Sequence, residues 1–580
     1  MMKRFRIIVI FVCAVMLCGC NISVNTKQPA ATDTDPKTEV TLSEAEYPFY
    51  FNSIDNESKV NLCFVNDDKV IPYIDIDTAV KLLEDINHES NHDEGYKVSA
   101  SSDGTVATLT RENEHKVTID CDNDLIGFDD YDAFLAPSWS KTVIDTLEHY
   151  GTIPYLQINE ERSYSRSGEA VDIDTGKYDI DLIGSEGKCY IPLQTFSDVF
   201  LSLSTYNNLI YNGEAVYSNM LSQEEDQKFV SKTYSAPKGN RSRKLADFTY
   251  NELCLVMDNF YGLKTKQGID DFDSFISEIG LKDRMRSEDS KESAKAVAEF
   301  LELYIDDLHS FYLKNSYLTG SDFNWERRLG ESYHRYVSSY YRFKDEREKK
   351  YPDGVPGYEE IGNTAYITFD TEESLADGAD YYNDPPKADT KDTVGILLYA
   401  FDQIKRENSP IENVVFDMSL NGGGDQTTSC FMLSMILGGS SMVVKDTLSG
   451  AYVVESFKAD ANLDKVFDKN DSLSDYNLYC IISPISFSCG NLIASELKNS
   501  NMVTILGQTS GGGTCIINPI SLADGTLIRM SSCRCMTSIH NGAMYDIDRG
   551  VDPDIYISKP SDFYDRETLT ELINEGFYDD

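Results

Sequence analysis

The sequence predicts an α/β core preceded by a helical region and an N-terminal α+β module, and three observations carry that prediction. From about residue 360, strand candidates alternate with helical stretches in the manner of βαβ units. Between 240 and 345, apolar residues recur at three- and four-residue steps, the period of an amphipathic helix. Between 46 and 230, short β-like runs alternate with turn signals. The 580 residues suffice for about three or four domains. The expected division is a signal peptide over 1–19, a flexible tether over 20–45, the α+β module over 46–230, the helical region over 231–350 and the α/β core over 351–580.

The N-terminus carries Lys3, Arg4 and Arg6 and then the apolar run Ile7–Leu17, 11 residues long. That is too short for a stable membrane span and reads as the core of a signal peptide. It ends in Leu17-Cys18-Gly19-Cys20, which resembles a bacterial lipobox. The resemblance implies cleavage before Cys20, lipidation of Cys20, and a protein held on the outer face of a bacterial cell membrane. Residues 21–45 lack aromatics and are rich in Thr, Asp and Pro, as a tether would be.

Acidic residues outnumber basic ones 97 to 52, giving a net charge of −45. Such a surface repels phosphates, so nucleic acid is excluded as a partner. Of 13 cysteines, ten remain beyond Cys20; they are dispersed, and no CxxC pair occurs. This is no dense disulfide framework; dispersed cysteines in an exported protein suit a reducing habitat, and whether any of the ten pair in surface disulfides stays open.

Within the N-terminal module, strands are expected at Val70–Ile76, Val106–Thr110, Lys116–Ile119 and Cys189–Leu193, with helices over Asp77–Ile86 and after Pro192. The phrases VIPYIDIDTAVKLL and KCYIPLQTFSDVFLSL resemble the small units called copper-amine-oxidase-like N-terminal modules. The resemblance implies a stalk or binding module for a cell-envelope ligand, and no copper. In the helical region, Ala294, Val297, Phe300, Leu301, Tyr304, Ile305 and Leu308 form one stripe that ends at His309-Ser310. In the core, strands are expected at Thr364–Phe369, Asn413–Met418, Leu478–Ile482, Val503–Leu506 and Thr526–Met530. Helices are expected at about Val394–Glu407, Thr427–Leu437 and Gly490–Asn499.

Four short motifs carry chemistry. The strand ending at Asp417 runs into Asn421-Gly422-Gly423-Gly424, which is either a tight turn or a cradle of N–H groups for an oxyanion or phosphate. No GK[ST] follows, so a nucleotide P-loop is disfavoured. Ser486-Phe487-Ser488-Cys489-Gly490 then leads into a helix. Ser488 there is either an N-cap or a nucleophile whose developing charge the helix N-terminus stabilises. Gly507-Gln508-Thr509-Ser510-Gly511 follows, and last come Asp524-Gly525 and Gly550-Val551-Asp552-Pro553-Asp554.

In that order these motifs resemble the tail-specific, or C-terminal processing, family of serine peptidases, over about residues 240–558. The resemblance implies a crotonase/protease-like β–α superhelical core preceded by helices. One branch of the family uses a lysine 25 positions after the serine; that position is Gly513, so the Ser–Lys dyad is absent. The tricorn-like branch uses serine, histidine and an acid, with the histidine in a phrase matched by Asp307-Leu308-His309-Ser310. The resemblance therefore implies Ser488 as nucleophile, His309 as general base, Asp546 as the acid with Asp548 as its alternative, and backbone N–H groups of Gly423, Gly424 and Cys489 as the oxyanion hole. The substrate implied is an exported polypeptide; no cofactor or metal is implied. Asn491 and Ser419-Leu420 depart from the family pattern, and the runner-up is a catalytically inactive scaffold that binds peptide or cell-wall ligand. Cys489 is a weaker nucleophile candidate, His540 reads as a loop residue, and His88 and His92 read as solvated surface.

Overall fold

Four apolar runs, buried almost throughout, make the centre of the core. Thr364–Thr368, Asn413–Asp417, Asn477–Ile482 and Val503–Gly507 lie side by side and parallel, with Ala365 opposite Val414, Val415 opposite Tyr479 and Cys480 opposite Ile505. Continuous burial is what parallel strands require, because their crossover helices cover both faces. Those crossovers are Thr393–Lys405, Gln426–Leu437 and Cys489–Asn499. Each agrees with its sequence expectation to within two residues. The sheet gains an antiparallel edge at Tyr358–Ile361 and a short parallel one at Ile555–Tyr556.

The computed structural model describes residues 41–580 except 113, 145–152, 221–226, 236–237, 321–322, 541 and 578–580. The signal-peptide reading, Cys20 and all of the tether up to residue 40 lie outside the described residues. The first strand, Leu42–Phe51, begins inside the stretch read as tether. Residues 42–580 form one compact unit.

The expected strand Thr526–Met530 belongs elsewhere. It opens a longer strand, Leu527–His540, which pairs antiparallel with Cys515–Ser521, Ser440–Asp446 and Phe311–Lys314 in a second sheet. The cause is the turn at Asp524-Gly525: Gly525 sits at φ 78° and Leu522 N–H bonds Thr526 O. A turn this tight makes a hairpin, whereas a parallel partner needs a long crossover. Leu156–Ile158 and Tyr164–Arg166 join the same sheet through Tyr452–Ala459. His540, read as a loop residue, is the last residue of the long strand.

In the helical region, Ser290–Glu299 is α-helical and Phe300–Ile305 widens into a π turn. Of the predicted stripe, Ala294, Val297, Phe300, Leu301 and Ile305 are buried, while Tyr304 is exposed. The buried Arg241 guanidinium fastens this region to the core, bonding Met285 O, Ser287 O and the Asp524 carboxylate.

The N-terminal segment builds two further sheets among the described residues, one of seven strands and one antiparallel of five. The expected helix at Asp77–Ile86 runs over Ile76–Asn91; the one after Pro192 runs to Thr205 through a π turn. His88 Nε2 donates to Tyr96 O, and His92 caps the first helix at φ 52°. No helix among the described residues is long and apolar enough to cross a membrane.

Candidate active site

The strand Asn477–Ile482 delivers a turn that is pinned before it reaches Ser488. Ser483 donates to Ser419 O and Ser486 to Met418 O, so the turn is bolted to the end of the neighbouring strand. Phe487 N–H bonds Asn421 O, and Ser488 N–H bonds Gly512 O. Ser488 is thereby held at φ 55° and ψ −122°, a left-handed region that costs a side chain about 1–2 kcal/mol. Its carbonyl accepts from Leu492 N–H and starts the helix Cys489–Asn499. Its hydroxyl makes no capping bond and is half-buried, facing a cavity.

The triple glycine packs against this elbow. A Cβ on Gly423, at φ 97°, would lie 2.7 Å from Ser488 Cβ and 3.0 Å from Cys489 N. The structure thus brings Gly423, Gly424, Ser488 and Cys489 together. Gly423 N–H donates to Asn421 Oδ1 at 2.9 Å, and Gly424 N–H faces the Cys489 thiol. Cys489 N–H, first in its helix, has no intrahelical acceptor. Burial pushes the Cys489 thiol up to about 12, so it is not a thiolate nucleophile at neutral pH.

His309 arrives on a turn built by Asp307. Asp307 Oδ1 accepts His309 N–H and Ser310 N–H; Oδ2 accepts the Ser310 and Tyr261 hydroxyls. Asp306 and Leu308 take positive φ values of 43° and 66°, reversing the chain after the π turn. The His309 ring, only 8% exposed, packs edge-on against Phe487 at 4.8 Å. Burial drives its pKa down to about 4, against the Asp307 charge and the Cys515 carbonyl, which both favour the protonated ring. It is therefore neutral and able to accept a proton at pH 7. Ser488 and His309 line one cavity of about 390 Å³, with Tyr333, Tyr336 and Phe487.

The two aspartates expected to supply the acid sit elsewhere on the rim. Asp546 is exposed and pairs with Lys266 at 2.6 Å, which holds its carboxyl below the usual range despite partial burial. Asp548 accepts Thr514 N–H at 3.2 Å, and burial raises its carboxyl. Both line a neighbouring cavity of about 850 Å³ that contains neither Ser488 nor His309. No hydrogen bond joins either one to His309 among the described residues.

Two residues at the site escaped sequence reasoning. Asp307 stands in the phrase around His309, and an aspartate two residues before the residue it caps is the signature of an Asx turn. Glu372 is buried behind the glycine loop beside the Asn421 amide, and burial raises its carboxyl to about 8. Its backbone bridges Gly424, but no local motif marks it.

Residues 391–557 match the family described as Peptidase family S41. Among solved structures, a photosystem II D1 C-terminal processing protease is 21% identical, over 34% of this chain and 42% of that one, with a TM-score of 0.25. A Parabacteroides merdae protein assigned as a peptidase is 16% identical over 59% and 98%, TM-score 0.39. A lipoprotein from Streptococcus agalactiae is 15% identical over 58% and 98%, TM-score 0.33. This chain spans less than half of the first of these structures. No curated protein matches it.

Proposed function

We propose that this chain, which carries a peptidase family S41 domain at residues 391–557, is a serine endopeptidase of the Ser–His type that cleaves exported polypeptides. The observation that carries the reading is Ser488, held on left-handed backbone at a helix N-terminus, in one cavity with a buried, neutral His309. In the proposed reaction the His309 ring takes the Ser488 hydroxyl proton as the oxygen attacks a peptide carbonyl. It then returns the proton to the leaving amine. Cys489 N–H is the first oxyanion donor; Gly423 N–H becomes the second once a bound carbonyl displaces Asn421 Oδ1. Asp307 is the carboxylate whose charge acts on His309, and Asp546 and Asp548 line the adjoining wall. With Cys20 lipidated, the enzyme would work at the outer surface of a bacterial membrane.

A second reading, an inactive scaffold, draws on one observation: the N–H groups of Gly423 and Gly424 are already engaged, by Asn421 Oδ1 and the Cys489 thiol. Labelling the full chain with a fluorophosphonate separates the two. The active reading expects one adduct, abolished in Ser488→Ala and slowed by up to about 10⁶-fold in His309→Ala. Absence of an adduct on folded protein, with peptide still bound, would leave the scaffold.

A further inference from the structure

We propose that Cys515 and Cys535 form a cystine across the second sheet, beside the candidate base. The two residues are directly opposite each other on antiparallel strands, and their sulfurs lie 3.2 Å apart. Met536 N–H bonds Thr514 O, the bond that flanks this pair on one side. Cys515 and Cys535 therefore occupy a non-hydrogen-bonded register position, where cross-strand side chains approach most closely. Gly262 lies over the pair: a Cβ there would meet the Cys515 sulfur at 2.8 Å and the Cys535 sulfur at 3.1 Å. The absence of a side chain at 262 leaves both sulfurs free to face each other. Cys533, two residues away, is committed differently, to the Asp446 carboxylate.

The location gives the pair its consequence. Cys515 lines the Ser488–His309 cavity, and its carbonyl accepts from the His309 ring. The cross-link fixes the strand end that carries this acceptor, and so the orientation of His309. That second step rests on the reading of His309 as the base; the cystine itself does not.

The chemistry balances with a disulfide oxidant, either a small-molecule disulfide or a thiol–disulfide oxidoreductase. One cysteine thiolate attacks the oxidant's disulfide and expels the first thiolate. The second cysteine then attacks the mixed disulfide and expels the other. Two protons and two electrons leave the protein, and the oxidant ends as two thiols. Burial raises the Cys515 thiol, so exchange in the folded state is slow and the oxidation state set during export is kept.

The test is to equilibrate the full chain with oxidised and reduced glutathione at a urea concentration just below unfolding. Free thiols are then alkylated in denaturant and the chain is digested with trypsin. Cleavage after Lys498, Arg529, Arg534 and Arg549 places Cys515, Cys533 and Cys535 on three separate peptides. The expected result is a linked pair of 499–529 with 535–549, lighter by about 2 Da than the sum of the free peptides. Cys535→Ser should abolish it, and the oxidised wild type should melt at a higher temperature than the reduced one. Full alkylation of both cysteines, or a link from Cys515 to Cys533, overturns the cystine. If the 515–535 link forms while the fluorophosphonate labelling rate is the same oxidised and reduced, the coupling to His309 is overturned and the cystine stands. The proposal survives the failure of the peptidase reading only in its cross-link, which the peptide map reads without any activity.

Discussion

Two cavities share the walls Leu308, Tyr336 and Phe487, yet they are built on opposite principles. The smaller one holds Ser488 and His309, and each is placed by its own backbone: one by an elbow at φ 55°, the other by an Asp307 turn. The larger one holds Lys266, Asp546, Glu331 and Arg335, and these are arranged by ion pairs. Backbone placement costs strain but is rigid, and a reacting group needs to be held to a fraction of an ångström. Ion pairs between exposed side chains are worth about 0–1 kcal/mol each and tolerate rearrangement. On the proposed reading, the first cavity carries the chemistry and the second binds along the polypeptide.

The sharpest way to break that assignment is to disturb the elbow without touching a side chain that reacts. Gly423→Ala puts a methyl 2.7 Å from Ser488 Cβ and 2.8 Å from Phe487 O, at a φ of 97° that alanine avoids. Fluorophosphonate labelling should fall by about 10²-fold or more, the scale of a lost oxyanion donor. The far-ultraviolet circular dichroism should be unchanged. A variant that folds and labels at the wild-type rate would mean that Gly423 does not shape the site.

Next in size is the contrast between the two candidate carboxylates. Asp307→Asn keeps much of the turn but removes the charge that favours a protonated His309. Labelling should slow by about tenfold, equivalent to one pKa unit of lost electrostatic support. Asp546→Asn should change the rate by less than about threefold, as expected for a partly exposed ion pair. Loss of about 10⁴-fold in Asp546→Asn, the effect of neutralising a triad acid, would restore Asp546 to that role. It would then have to leave Lys266 during catalysis.

What the sequence displayed follows the same division. The parallel strands and their helices were legible because burial on both faces writes continuous apolar runs, and Gly-rich turns mark their ends. The backbone settings of Ser488 and His309 were legible because each sits in a local phrase. The ion pair that holds Asp546 was not, because Lys266 meets it across 280 positions with no local signal. Only the start of the long strand Leu527–His540 was legible, as Thr526–Met530, because its pairing in the second sheet depends on the hairpin turn at Asp524-Gly525. The family departures also became intelligible only in three dimensions. Asn491 donates to Ile547 O and accepts from the Ser510 hydroxyl, so an amide with both functions ties the elbow helix to two loops. Ser419 similarly donates to Asp417, which the buried Arg566 guanidinium approaches at 3.4 Å.

The smallest expected effect is in the pH profile, and it tests whether the first cavity is as dry as its packing implies. A solvated histidine titrates near 6.5, so labelling by an ordinary serine–histidine pair falls below about pH 7. Burial against Phe487 brings His309 down to about 4, so the ring stays neutral well below that range. Labelling should then vary less than about twofold between pH 8 and 5.5 and reach half its plateau near the depressed value. The sign for stability follows from the same shift. Between about 4 and 6.5 the unfolded histidine binds a proton that the folded one does not, so stability contributed here is full above 6.5 and lost as pH falls toward 4. Circular dichroism at each pH keeps acid unfolding apart from protonation of the base. A half-point near 6.5 would mean that water reaches the ring. The two cavities would then differ in charge but not in solvation, and the backbone-held site would lose its claim to being the drier one.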